Sequence, residues 1–212
     1  MSIAPPSFVY LASQSPRRAE LLDQIGVPHR SLAPQADEDA ESLEALMPGE
    51  APQAYVERVV RLKLQAAQRR LHARGLEPAP VLCADTTVAL GRRVYGKPAD
   101  AEDARRILAE LAGRTHRVIT GVGLAWGAQG RRNAFATQVS RVRFAPWPAE
   151  AIARYVSSGE PMGKAGAYGI QGLAAAWIDH IAGSHSGIMG LPLHETAGLL
   201  AQAGVIVGGR PA

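Results

Sequence analysis

Phe8-Val9-Tyr10-Leu11-Ala12-Ser13-Gln14-Ser15-Pro16-Arg17-Arg18 is the stretch whose reading decides the fold class. Residues 8–12 form a short apolar run with two aromatic rings, which fits a buried strand. The run breaks at Ser13-Gln14. Ser15 and Pro16 then supply a helix start, the serine at the N-cap and the proline at the first helical position, where its missing N–H leaves no bond unmade. Leu21, Leu22 and Ile25 mark the apolar face of this helix, and Gly26 stops it. Strand, tight loop and helix in that order open an α/β protein.

The alternation continues outward from this unit. Residues 30–52 are acidic and aperiodic, with Asp37, Glu38, Asp39, Glu41 and Glu44 close together, and read as a loop or a short exposed helix. Over residues 52–72, Tyr55, Val56, Val59, Val60, Leu62 and Leu64 recur in a helical rhythm, and Pro78 and Pro80 close the segment. Val81-Leu82-Cys83-Ala84 reads as a second buried strand, with Asp85-Thr86-Thr87 at its end before Val88-Ala89-Leu90, and residues 91–93 turn the chain back. Asp100 caps a helix that runs to Leu111 and is ended by Gly113. Residues 117–126 and 134–144 flank a Gly- and Arg-rich turn and predict an antiparallel pair. Pro148 opens a helix to Val156, residues 157–172 form a glycine-rich loop, residues 177–181 a strand, and residues 192–203 a closing helix after a Gly/Ser/His loop. With no internal repeat, low-complexity segment or long linker, residues 1–212 read as one α/β domain with a mixed sheet and flanking helices. A crossover helix after each of the first two strands leaves Ser13 and Asp85 at the same sheet edge, where α/β proteins bind ligands.

At 212 residues and 47% hydrophobic content the chain can bury a core without staples. Its one cysteine, Cys83, lies inside an apolar run, excludes an internal disulfide framework and points to a reducing, cytoplasmic setting. The first six residues lack the basic start and apolar core of a secretory signal, and no apolar run approaches the ~20 residues of a membrane-spanning helix. A net charge of +4 suits a nucleic acid or a small anionic substrate. Sparse aromatics, 5%, and the absence of a dense Lys/Arg block weigh against nucleic acid. Of the 23 basic residues only Lys63, Lys97 and Lys164 are lysines, so an Arg-rich chain keeps Lys where a compact ammonium suits a phosphate or a metal-bound oxygen.

Three stretches carry chemistry. In Ser13-Gln14-Ser15-Pro16-Arg17-Arg18, backbone N–H groups at a helix start, serine hydroxyls and two arginines can all hold an anion. Each arginine there opposes the helix dipole by ~0.3–1 kcal/mol, so the pair asks for a reason, which a phosphate would supply. Ala84-Asp85-Thr86-Thr87 offers a carboxylate for a divalent metal or a water and a hydroxyl for substrate, with Asp37-Glu38-Asp39 as a source of a second carboxylate. The third is Gly159-Glu160-Pro161-Met162-Gly163-Lys164-Ala165-Gly166-Ala167-Tyr168-Gly169-Ile170-Gln171-Gly172. Its glycines allow close backbone approach, Lys164 can reach a phosphate, and the Gln171 amide offers a donor and an acceptor to a base edge. It lacks the spacing of a Walker A loop, and no Gly-X-Ser-X-Gly elbow is present. His180, His185 and His194 show no metal spacing, which excludes a zinc site.

Together these stretches resemble the Maf family. The resemblance is carried by Leu11-Ala12-Ser13-Gln14-Ser15-Pro16-Arg17-Arg18, Ala84-Asp85-Thr86-Thr87-Val88, Gly96-Lys97-Pro98, Gly113-Arg114-Thr115-His116-Arg117-Val118-Ile119-Thr120-Gly121-Val122, residues 164–172 and Gly190-Leu191-Pro192-Leu193. It implies an elongated, two-lobed α/β fold of the inosine-triphosphatase kind around a deep central cleft. It also implies hydrolysis of a nucleoside triphosphate to monophosphate and pyrophosphate, dependence on Mg²⁺ or Mn²⁺, and a homodimer. The Ser-Pro-Arg-Arg and Ala-Tyr-Gly-Ile-Gln-Gly forms look like the branch acting on dTTP and UTP; a sister branch acts on 7-methyl-GTP.

Carried over by position, Asp85 corresponds to the general base and Glu38 to a polar position lining the cleft, and the mechanism this implies has Asp85 and Glu38 hold the metal. Arg18, Thr86 and Gln171 match positions associated with base choice, and Ser13, Arg17, Lys63, Lys97 and Lys164 match polar positions lining the cleft. One departure is Gly163, where the family usually has Asp before the lysine. The rival readings are a non-catalytic nucleic-acid-binding or cell-division regulator, which predicts salt-sensitive binding without pyrophosphate release, and a phosphatase releasing orthophosphate.

Overall fold

The computed structural model describes residues 6–35, 38 and 42–208. Asp37, Asp39 and Glu41 of the acidic stretch, and the residues before Pro6, lie outside them. In chain order the elements are β1 (Val9–Leu11), α1 (Pro16–Gln24), β2 (His29–Ser31), α2 (Pro52–Ala73), β3 (Val81–Leu90), β4 (Arg93–Tyr95), α3 (Ala101–Leu111), β5 (Thr115–Trp126), β6 (Arg132–Phe144), α4 (Ala149–Ser157), β7 (Ile178–Ala182), α5 (His185–Met189) and α6 (Leu193–Gln202). Among the described residues the strands make one mixed sheet in the order β2-β1-β3-β5-β6-β7, with β4 added to β3. The β2–β1 and β1–β3 pairs are parallel and the others antiparallel.

Three departures from the sequence reading matter for the site. Residues 81–90 form one ten-residue strand, so Asp85 lies in mid-strand, not at a strand end. The long antiparallel partner β5 holds it extended, with Ala84↔Val122, Asp85↔Gly121 and Thr86↔Thr120 in register. After β3 the chain returns by a hairpin into β4, so no crossover helix follows this strand directly; the two crossover helices are α1, after β1, and α2, between β2 and β3. Within the Gly/Ser/His loop a short helix, α5, is capped by Ser184, whose side chain accepts from the Gly187 N–H. The Asp100 cap behaves as its sequence indicates, accepting from the Asp103 N–H.

Side-chain alternation along β3 and β5 splits the core. Odd-numbered Val81, Cys83, Ala89 and Ile119 pack under α2 through Tyr55, Val56, Val59, Val60 and Leu64. Even-numbered Leu82, Ala84, Val122 and Leu124 pack on Leu21 and Leu22 of α1 and Leu199 and Leu200 of α6. Farther along the same face, Val88, Val118 and Val142 meet α3, α4 and the rings of Phe144 and Tyr168. No helix among the described residues is long and apolar enough to cross a membrane.

Candidate active site

β1 stops at Leu11 while its neighbour β3 runs on. The pairing ends at Leu11↔Leu82, and the Ala12 N–H still donates to the Leu82 carbonyl at 2.8 Å. The loop that follows therefore lies beside Asp85 and Thr86, at an edge that β1 no longer covers. A cavity of about 510 Å³ opens there. Ser13, Arg17, Arg18, Lys63, Asp85, Thr86, Lys97, Lys164 and Gln171 all line it. Odd and even residues of β3 give it two walls.

On the α2 wall, Lys63 interrupts the apolar stripe of the helix one turn after Val59 and Val60. Its Nζ donates to Asp85 Oδ1 at 2.5 Å and to Glu44 Oε1 at 2.6 Å. Close approach of α2 makes this possible. Opposite Asp85 stands Gly121, and a Cβ there would meet Val60 Cγ2 at 2.9 Å and Val56 Cγ1 at 3.0 Å. Burial alone would lower the pKa of Lys63, but the charges of Asp85 and Glu44 outweigh it and hold the ammonium above its ordinary value. Glu44 is likewise raised by burial, yet Lys63 and Lys97, the latter at 3.4 Å, bring it below the usual carboxylate range.

On the opposite wall, Arg18 donates from Nε to the Gly190 carbonyl at 2.8 Å, from Nη1 to Ser13 Oγ at 3.1 Å and from Nη2 to Thr86 Oγ1 at 3.5 Å. Burial lowers its pKa, and Asp85 partly offsets this. Ser13 Oγ also accepts from the Ser15 N–H at 3.1 Å. With both lone pairs engaged, its proton is left to donate into the cavity, the polarity an anion needs. Ser15 stands at the N-cap position as its sequence indicates, but its side chain makes no capping bond.

The rim is cationic. The Arg17 guanidinium makes no hydrogen bond or ion pair with any described residue. It faces Lys164, whose pKa is lowered first by burial and then by Arg17. Lys164 Nζ donates to the Glu160 carbonyl, an uncharged partner. Gln171 is exposed beside Lys164. Gly163 has φ +71° and open space where a Cβ would be. Two neighbouring cations that make no ion pair among the described residues favour an anionic ligand.

Glu38 is placed differently from its sequence reading as the carboxylate partner of Asp85. Arg70 clamps both of its oxygens at 2.5–2.9 Å, and Arg74 adds a bond at 3.1 Å. Hydrogen bonds from Arg70 hold its pKa down near 2. The carboxylate that shares an ammonium with Asp85 is Glu44. Among the described residues no group of three or more His, Cys, Asp or Glu is disposed to hold a metal. His180, His185 and His194 are exposed. Sequence reasoning passed over Glu44, Arg70 and Thr120. Arg70 was findable, since it falls on the apolar stripe of α2 and is only 8% exposed; Glu44 sits in an aperiodic segment that gives no such signal.

The sequence model for "Maf-like protein" matches residues 8–203. The chain is 62% identical over 198 residues to a dTTP/UTP pyrophosphatase of Polaromonas sp., covering 93% of this chain and 96% of that one. It is 62% identical over 204 residues to a dTTP/UTP pyrophosphatase of Burkholderia pseudomallei, covering 95% and 97%. Among solved structures, a nucleoside-triphosphatase / dITP/XTP pyrophosphatase from Mycobacterium abscessus aligns at a TM-score of 0.41 and 16% identity, over 66% of this chain and 75% of that one. A family match over nearly the whole length, on a chain in which five of the six motifs contribute residues to one cavity, has one meaning: the chain belongs to the family of Maf-like proteins.

Proposed function

We propose that this protein is a cytoplasmic nucleoside triphosphate pyrophosphatase that cleaves dTTP and UTP between the α- and β-phosphates, releasing the monophosphate and pyrophosphate. The observation that carries the reading is the pairing of a carboxylate–ammonium centre, Asp85 and Lys63, with a rim of two cations, Arg17 and Lys164, that make no ion pair among the described residues. The names of relatives 62% identical over nearly the full length support the pyrimidine substrate. A homodimer is part of the same proposal, on the family resemblance.

The donor set fits a divalent cation. Asp85 and Glu44 are hard carboxylates that both line the cavity and stand on either side of the Lys63 ammonium, the donor chemistry such an ion takes. Asp85 and Glu44 would hold Mg²⁺ or Mn²⁺ together with phosphate oxygens, and Glu38 would stay on its arginines. When bound, such an ion supplies Lewis-acid neutralisation of phosphate charge and a more acidic water. Lys63 engages Asp85 through Oδ1, which leaves Oδ2 to orient a water and take its proton. Ser13, Arg17, Lys97 and Lys164 would bind the triphosphate and stabilise the charge that gathers on departing pyrophosphate. Arg18, Thr86 and Gln171 would contact the base.

The test is a panel of canonical and modified triphosphates, 7-methyl-GTP included, assayed for pyrophosphate with Mg²⁺ and with Mn²⁺. The expected result is pyrophosphate release fastest from dTTP and UTP. Fastest turnover of 7-methyl-GTP would move the protein to the sister branch, and orthophosphate as the product would remove the pyrophosphatase reading.

A further inference from the structure

Thr120 is fully buried on β5, directly across from Thr86 on β3. Its Oγ1 lies 2.7 Å from the Gly187 carbonyl of α5 and 3.0 Å from Thr86 Oγ1. A carbonyl can only accept, and a threonine hydroxyl has one proton. Thr120 therefore donates to Gly187, and the bond between the two hydroxyls can run in one direction only, from Thr86 to Thr120. Arg18, which has only donors, approaches Thr86 from the other side at 3.5 Å. The chain of donors runs from Arg18 through Thr86 and Thr120 to Gly187, with no step reversible while Gly187 stays in place.

Thr86 lines the cavity and Thr120 does not. With its proton committed to Thr120, the Thr86 oxygen meets a ligand as an acceptor. We propose that Thr120 is a positioning residue for base selectivity: by fixing the Thr86 hydroxyl as an acceptor, it selects a pyrimidine that carries a ring N–H, as uracil and thymine do at N3, over cytosine, which has a lone pair there. The inference rests on the proposed function, and deepens it by naming the edge of the base that the site reads. Two facing acceptors cannot share a proton, so cytosine leaves a polar group unpaired, whereas the imide N–H satisfies it.

The experiment compares kcat/KM for UTP and CTP in the wild type and in Thr120→Val, Thr120→Ser and Thr86→Val, alongside calorimetric titration with UMP and CMP. The wild type is expected to prefer uracil. Thr120→Val frees the Thr86 proton to turn toward the cavity, and the UTP/CTP ratio falls by about tenfold, the worth of one hydrogen bond. Thr120→Ser keeps the relay and the wild-type ratio, a rescue that a merely structural role for the hydroxyl's neighbours does not require. Thr86→Val, altered at a half-buried position, loses the preference as well and covers the case of a Thr120→Val chain that does not fold. A wild type that takes CTP as readily as UTP, an unchanged ratio in Thr120→Val or Thr86→Val, or a serine variant as unselective as the valine one overturns the proposal. A chain that releases no pyrophosphate, yet binds UMP over CMP in a Thr120-dependent way, upholds the relay and overturns the proposed activity instead.

Discussion

Asp85 and Thr86 are neighbours in sequence and face opposite sides of β3, and the strand's pleat sends the carboxylate to Lys63 and the hydroxyl to Arg18. Replacing Asp85 by Asn keeps the shape and removes the proton acceptor, so turnover should fall by ~10²–10⁴-fold while nucleotide binding stays measurable by titration. A fully active Asp85→Asn chain would remove the residue from the mechanism. His116 carries a different kind of test. It is buried at 1% exposure with Nε2 2.8 Å from the Tyr168 hydroxyl, and burial lowers its pKa from 6.5 to about 4. A depressed histidine contributes its full share above pH 6.5; as pH falls toward 4 the unfolded chain takes a proton that the folded chain refuses, and stability is lost. The loss over that window is ~3 kcal/mol. Urea unfolding of the wild type and of His116→Phe should show a stability gap that narrows as pH drops through the window; a constant gap would contradict the assignment.

At the scale of elements, the site depends on how closely α2 lies on β5. A methyl group at Gly121 would press on Val56 and Val60, two stiff β-branched side chains, and lift the helix that carries Lys63. Gly121→Ala should destabilise the fold by ~1–3 kcal/mol and lower kcat/KM, and adding Val60→Ala should restore part of both; unchanged kinetics would show that the Lys63–Asp85 contact does not depend on this packing. The same elements show what was legible beforehand. α2 was readable because its apolar residues recur at helical spacing from Tyr55 to Leu64, and α3 because Asp100 and Gly113 bracket it. β5 and β6 were readable as a pair because two long β-type runs flank one turn. β3 was not, since Asp-Thr-Thr resembles a strand end until the pairing with β5 is known. β2 is three polar-edged residues, and α5 five residues with only Ser184 to announce it. Around the cavity, local motifs marked the Ser13 loop and Asp85. The exchange of Glu38 for Glu44 depends on which loop carboxylate meets Arg70 and which meets Lys63, a long-range matter that spacing does not encode.

For the whole molecule, the mixed sheet brings one carboxylate centre and one cationic rim to a single opening, and the chemistry follows from where along a triphosphate each would fall. If Asp85 orients a water on the α-phosphorus while Arg17, Lys97 and Lys164 hold the outer phosphates, oxygen from solvent must end in the monophosphate. Turnover of UTP in heavy-oxygen water, with the products analysed by mass spectrometry, tests this most directly. The account predicts the label in UMP alone, with unlabelled pyrophosphate; label in pyrophosphate, or release of labelled orthophosphate, would contradict it.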